Sequence, residues 1–234
     1  MFRFKQFAIE QQRCAMKVGT DGVLLGAWCD LDKADRRILD IGTGTGVIAL
    51  MAAQRCPWAQ VTAVDIDDDC ASQAQANIDA SPWSDRVAAV CGDIRSFESD
   101  VPFDHIISNP PYFTSSLLPP DRARSVARHC TELSFAEIVA AADRLLSDSG
   151  RMSLILPRDA ADELVGLCRG RFVVRRRCDV RTTPVSTIKR SMLELGRPSH
   201  WNEPYRCREL VIQSAHEVFT DDYKRLTRDF YLKF

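Results

Sequence analysis

Short apolar runs alternate with longer amphipathic stretches along most of this chain, the grammar of an α/β protein with a mostly parallel sheet. Strands are predicted at residues 37–41, 61–66, 87–91, 103–108 and 152–156, and helices between them at 46–55, 68–80, 135–146 and 160–169. The clearest helix start is Ser134-Phe135-Ala136-Glu137, a capping box in which a hydroxyl and a carboxylate satisfy each other's backbone donors. Phe135, Ile138, Val139, Ala142, Leu145 and Leu146 then form one apolar stripe, and Asp148-Ser149-Gly150 supplies turn chemistry to end it.

After Gly170 the pattern changes. Residues 172–180, 191–196 and 209–213 read as strands with no long helix between them. Such short connections imply antiparallel pairing, because a parallel return needs a crossover of about a dozen residues. A final amphipathic stretch, 221–234, places Tyr223, Leu226, Phe230 and Phe234 at helical spacing, a stripe expected to pack on the core.

Composition adds bounds. A chain of 234 residues with 45% hydrophobic content can bury a full core. No run approaches the roughly 20 apolar residues of a membrane span, and Met1-Phe2-Arg3-Phe4-Lys5-Gln6-Phe7 lacks the apolar stretch of a signal peptide. The nine cysteines are odd in number and show no Cys-x-x-Cys spacing, so neither a metal site nor a disulfide framework is expected. Free thiols in a reducing cytoplasm fit that usage. The net charge of −1 hides an asymmetry, since 169–190 carries eight Lys or Arg against Asp179 alone. A locally basic face suits a polyanion.

Candidate chemistry begins at Leu39-Asp40-Ile41-Gly42-Thr43-Gly44-Thr45-Gly46, a strand-to-helix turn, with Asp65 nineteen residues after Gly46 at the end of the next strand. Glycines let a ligand approach the backbone, and a carboxylate in that position accepts hydrogen bonds from a ribose diol. The spacing is Gly-x-Gly-x-Gly rather than the dinucleotide Gly-x-Gly-x-x-Gly. Asp40 beside the loop would repel a pyrophosphate and favour an ammonium, and Asp93 follows the third strand, where an adenine amino group could meet it. Three acidic residues on successive strand ends suit S-adenosylmethionine, a cation without phosphates, over a nicotinamide dinucleotide.

Asn109-Pro110-Pro111-Tyr112 closes the next strand, 63 residues after Gly46. Alone it would be a turn, since Pro lacks an N–H and moves its predecessor out of helical space. At a strand end beside the glycine loop it falls where an open parallel sheet builds its ligand crevice. The Asn109 side-chain oxygen and the Pro110 carbonyl could accept both hydrogens of an exocyclic amino group, while Tyr112 stacks on the base. His105, within the strand, is expected to be packed rather than catalytic.

Together the glycine loop, Asp65, Asp93 and Asn-Pro-Pro-Tyr resemble the class I S-adenosylmethionine-dependent methyltransferases that modify amino groups. Met16-Lys17-Val18-Gly19-Thr20-Asp21-Gly22-Val23-Leu24-Leu25-Gly26-Ala27-Trp28 is similar to the segment before the loop in bacterial valine-tRNA adenine-N6 methyltransferases, as are Thr187-Ile188-Lys189-Arg190 and Phe230-Tyr231-Leu232. The resemblance implies a Rossmann-like fold: a mostly parallel seven-stranded sheet with antiparallel C-terminal strands and helices on both faces. One domain over 1–234 is expected, with 1–35 covering the cofactor, 36–170 binding it and 171–234 as a C-terminal extension. The implied cofactor set is Lys17, Thr20, Asp21, Asp40, Gly42, Gly44, Gly46, Asp65, Ile66, Asp93, Ile94 and Asn109, with Asn109, Pro110, Pro111 and Tyr112 at the reacting end. The implied partner is a valine tRNA, methylated on the adenosine 3′ of the anticodon, and a monomer is the favoured state.

Phosphate-facing candidates are Arg122, Arg124, Arg128 and His129 in a long stretch read as a mobile flap, with Arg175, Arg177, Lys189 and Arg190 further on. The N-terminal alternation of Phe and cations is compatible with base stacking or with a packed edge strand. A protein-glutamine methyltransferase, a DNA or rRNA adenine methyltransferase and a non-catalytic RNA-binding scaffold remain alternatives. Retention of Asp65, Asp93 and Asn109 opposes the last.

Overall fold

The computed structural model describes residues 1–111, 133–201 and 204–234. Tyr112 and the candidate residues Arg122, Arg124, Arg128 and His129 lie outside these. Strands β3 (Arg37–Ile41), β4 (Gln60–Asp65), β5 (Val87–Cys91), β6 (Phe103–Ser108) and β7 (Leu146–Pro157) are all parallel neighbours in one sheet. It continues through β8 (Val173–Arg181), β9 (Ile188–Gly196) and β10 (Arg206–Val211), giving, among the described residues, eight strands in the order β10-β8-β9-β7-β6-β3-β4-β5. The seven-stranded expectation is therefore one strand short.

Its C-terminal part also departs from expectation. β9 is antiparallel to both β7 and β8, but β10 pairs with β8 in parallel. The short connection does reverse the chain after β9, as short connections must. However, β10 passes β8 and docks on its far edge, so its partner is a strand running the same way. No crossover is needed.

Residue alternation along each strand divides the interior in two. Ile38, Ile107, Ile155 and Met192 join one cluster with helices α1 (Thr20–Trp28) and α2 (Val47–Arg55). Their sequence neighbours Leu39, Ile106, Leu154 and Leu193 join the other, with α4 (Phe135–Leu145) and α5 (Arg158–Leu167). That split is the period-two geometry of a strand covered on both faces. α1 shows no helical period in the sequence because Gly22 to Ala27 are all buried, leaving no polar face to mark one.

Local chemistry accounts for several boundaries. The Ser134–Glu137 capping box forms, Ser134 N donating to Glu137 Oε2 at 2.8 Å. α3 (Asp68–Asp79) starts where Asp67 Oδ1 accepts from Cys70 N at 3.1 Å. The Asp148-Ser149-Gly150 turn is corrected: register jumps from Phe103↔Leu146 to His105↔Arg151, so 147–150 loops out within β7 rather than preceding it. The terminal helix α6 (Asp221–Thr227) is shorter than the predicted stretch, although Tyr223 and Phe230 are buried as expected. At the N-terminus, β1 (Phe2–Arg3) and β2 (Ala8–Ile9) form a hairpin, and Phe4 stacks on Phe7 with centroids 4.5 Å apart. Phe4 and Phe7 are buried, so this segment takes the packed reading and these two rings are withdrawn from base stacking.

Candidate active site

The strand order places the crevice. The chain leaves β3 toward β4 and β5, then returns to lay β6 on the opposite edge of β3, so the sheet order switches there. Ile41 and Ser108 are register partners, and Ser108 Oγ donates to Ile41 O at 2.8 Å. The glycine loop after Ile41 and Asn109 after Ser108 thus stand side by side at the carboxyl edge of the sheet, where doubly wound folds bind ligands.

The loop is held from the next strand. Gly42 N and Thr43 N both donate to Val64 O, at 2.8 and 3.1 Å, and Gly44 N donates to Asp65 Oδ2 at 2.8 Å. Gly42 and Gly44 have φ of +68° and +55°, a region that costs side-chain-bearing residues energy. A Cβ on either would meet no atom of the described residues within 4 Å, because both line the cavity. Gly46, with φ +80°, differs: a Cβ there would come within 3.3 Å of Ala74 Cβ on α3. It begins α2 and does not line the cavity, so its part is packing.

That cavity has a volume of about 490 Å³. Among the proposed cofactor residues Lys17, Thr20, Asp21, Gly42, Gly44, Asp65, Ile66, Asp93, Ile94 and Asn109 line it, together with Pro110 and Pro111. Asp40 does not. It is buried beneath the loop, where Oδ2 accepts from Thr43 Oγ1 at 2.6 Å and from Ala49 N at 3.2 Å. Burial pushes its carboxyl up to about 7, against the pull of those two donors. Its role is to brace the turn from below rather than to meet a ligand directly.

The two remaining strand-end acids are differently placed. Burial raises the Asp65 carboxyl above its usual range, opposed by the N–H groups of Asp67 and Gly44. Asp93 is lowered by its pairing with Arg95, whose Nη2 lies 2.6 Å from Oδ2. Arg95 lines the cavity too, as do Cys14, Cys70 and Leu133. Nothing in the local sequence pattern distinguishes these four. Cys14 arrives because Glu10 and Arg13 are bonded along α3 to Asn77 and Gln73.

At the reacting end, Asn109 Oδ1 is buried, and no described group donates to it. A buried amide oxygen left without a donor costs about 1–3 kcal/mol, so this atom is suited to a hydrogen bond that a ligand brings. The combination fits S-adenosylmethionine: a glycine cradle open to the ligand, an acid for the ribose, a partly apolar slot beside Ile66 and Ile94, and an acceptor at the far end.

Comparison with known proteins agrees with this geometry. Residues 22–164 match the family described as methyltransferase small domain. A tRNA1(Val) (adenine(37)-N6)-methyltransferase of Phocaeicola vulgatus is 45% identical over 234 residues, covering 99% of this chain and 97% of that protein. The protein of the same name from Porphyromonas gingivalis is 46% identical over 243 residues, covering 99% and 94%. This chain belongs to that methyltransferase family. In fold, a predicted O-methyltransferase of Agrobacterium tumefaciens superposes with a TM-score of 0.70 at 20% identity, covering 90% of this chain and 96% of that one.

The basic run of this family member is largely neutralised in space. Arg177 binds Asp179, Asp162 and Ser191, and Arg176 binds Glu194 at 2.9 Å. Arg181 pairs with Glu209, and Arg171 lies 3.8 Å from Asp143. Arg175 stacks over Trp201 with its guanidinium carbon 4.0 Å from the ring centroid. Arg177 is thus engaged by protein acceptors, and Arg175 lies against a ring rather than a carboxylate. Arg190 pairs with Asp21 at 2.7 Å, at the mouth of the cofactor cavity, whereas Lys189 is exposed.

Proposed function

We propose that this protein transfers a methyl group from S-adenosylmethionine to N6 of adenosine 37 in tRNA1(Val). The observation that carries the reading is Asn109 Oδ1, buried beside the glycine loop and without a donor among the described residues, in a chain that aligns end to end with relatives bearing that activity in their names. An adenine N6 donates two hydrogens, which Asn109 Oδ1 and the Pro110 carbonyl accept. Acceptors set off the ring plane favour the pyramidal nitrogen that develops during attack, so they stabilise the transition state more than the ground state.

When bound, S-adenosylmethionine supplies a methyl group activated by its sulfonium. Asp65 would take the ribose diol, Asp93 and Ile94 would border the adenine, and Thr20, Asp21 and Lys17 would hold the methionine end. In-line positioning provides most of the acceleration, and no dedicated base is required before transfer. An adenine held in this way must leave its own stack. The cytoplasm, where tRNA is modified, is the matching location, and the partner is tRNA.

Labelled methyl transfer onto total tRNA, total DNA and release factors tests the reading, with nucleoside mass spectrometry of the tRNA identifying the product. N6-methyladenosine at position 37 of valine tRNA is expected. Incorporation only into protein or DNA would overturn the assignment.

A further inference from the structure

A second cavity, of about 820 Å³, lies directly behind the first. The opening turn of α1 is the wall between them, since Gly19, Thr20 and Asp21 line both. Its other walls come from the ends of β8 and β9, from the short strand Val218–Phe219 and from the C-terminal residues. The lining is aromatic: Phe219, Tyr231 and Phe234 are half-buried, and the Phe234 centroid lies 5.2 Å from that of Phe219 and 5.8 Å from that of Tyr231. Around the rim stand Arg3, Lys189 and Lys233, all exposed and, among the described residues, without a carboxylate partner.

This distribution is the reverse of that along the basic run. There, acids from distant elements neutralise the arginines. Here, positive charge is left unmatched around rings, beside the entrance to the cofactor site. Rings offer π-faces on which any base can stack, and lysines meet the phosphates that accompany it. The volume falls within the roughly 300–1,000 Å³ of small-ligand cavities, enough for one nucleotide unit.

We propose that this groove binds a nucleotide flanking the target adenosine, its base against Phe219 and Tyr231 and its phosphate between Lys189 and Lys233. The inference rests on the reading of the protein as an RNA methyltransferase and extends it to how the strand is held while the adenine is presented. A groove on the far side of the α1 turn would anchor the chain next to the nucleotide that must be flipped.

The test compares the full-length protein with a Lys189→Ala/Lys233→Ala double variant and with Phe219→Leu, which keeps an apolar filler but removes the ring. Binding of valine tRNA is followed by fluorescence anisotropy across a salt series, and S-adenosylhomocysteine affinity by calorimetry. The double variant is expected to bind tRNA at least tenfold more weakly, with a salt dependence shallower by about two in log–log slope. Phe219→Leu should weaken tRNA binding several-fold at unchanged slope, and both should bind S-adenosylhomocysteine as the parent does. If the parent binds and methylates tRNA while the double variant matches it in affinity and slope, the groove assignment alone fails. Parallel loss of S-adenosylhomocysteine affinity would overturn it as well, marking the groove as structural. If the parent neither binds nor methylates tRNA, both readings fall.

Discussion

The backbone N–H of Gly44 donates to Asp65 Oδ2 at 2.8 Å, while Oδ1 of the same carboxylate accepts from Asp67 N at 3.0 Å. One side chain therefore fixes the glycine turn and the start of the segment leading to α3, and still lines the cavity. Its remaining lone pairs are the ones a ribose diol would use. Asp65→Ala is expected to weaken S-adenosylmethionine binding by about 1.5–3 kcal/mol, the range for hydrogen bonds to a charged group. Asp65→Asn, which keeps one acceptor for Gly44 N, should lose less. Calorimetry on both variants checks this, and affinity unaltered in Asp65→Ala would reject the ribose role.

Asp40 gives a pH signature. Its carboxyl is raised to about 7 in the fold against roughly 4 in an unfolded chain, so the native state holds the proton more tightly. Where the native state binds more protons, stability falls as pH rises. The contribution of Asp40 is therefore most favourable below about pH 4, declines between 4 and 7 and is constant above. Asp40→Asn cannot ionise. In ligand-free thermal unfolding, its melting temperature relative to the parent should move upward between pH 5 and pH 8, and a difference independent of pH would refute the assignment.

A second buried acid has the opposite sign. Arg151 Nη1 and Nη2 bind Asp35 Oδ1 and Oδ2 at 2.8 and 2.6 Å, joining the approach to β3 to the middle of β7. Burial alone would raise Asp35, but its polar neighbours outweigh that and hold it at about 2. Arg151 supplies the bidentate contact, whereas the His105 ring lies 3.9 Å away. Removing one partner strands a buried charge, so Asp35→Ala should cost about 3–5 kcal/mol of stability by urea denaturation near neutral pH. The cost should shrink as pH drops through the interval from about 4 to 2, where the carboxylate itself is lost. A change under 1 kcal/mol at neutral pH would show the pair to be dispensable.

Much of the site was legible because its parts sit at strand ends. Apolar runs set the strand limits to within a residue at β3, β5 and β6, and Asn109 follows immediately upon β6. The turn chemistry of Gly42 and Gly44 is equally local, since positive φ is a property of the residue itself. What stayed hidden depends on contacts between remote positions. The partners that neutralise Arg176 and Arg177 come from Glu194 on β9 and Asp162 on α5, which no count along 169–190 can reveal. Asp40 reads as a ligand-facing acid until the fold places Thr43 Oγ1 and Ala49 N upon it. The parallel pairing of β10 with β8 is hidden from the sequence for a related reason: chain reversal is local, but the choice of sheet edge is not.

Asn109 separates binding from chemistry. Its Oδ1 is buried at the junction of β6 with the cavity and receives no donor from any described group, so in the free protein it contributes little that substitution could remove. Asn109→Ala should therefore leave stability nearly unchanged and lower S-adenosylmethionine affinity less than twofold. Methyl transfer should fall by at least a hundredfold, because the lost acceptor acts on the nitrogen only as it becomes pyramidal. Removal of a single preorganised oxyanion-hole-type donor costs about 10²–10³ in rate, and an acceptor in the same relation to developing charge should act on that scale. Asn109→Asp provides the complementary case. It keeps the acceptor but adds a carboxylate in a buried position, whose proton uptake on burial should make residual activity depend on pH. Single-turnover transfer onto tRNA, paired with calorimetry for the donor, distinguishes the two contributions. A large loss of donor affinity in Asn109→Ala, with the rate of the bound complex preserved, would move this residue from the reacting end to the cofactor's.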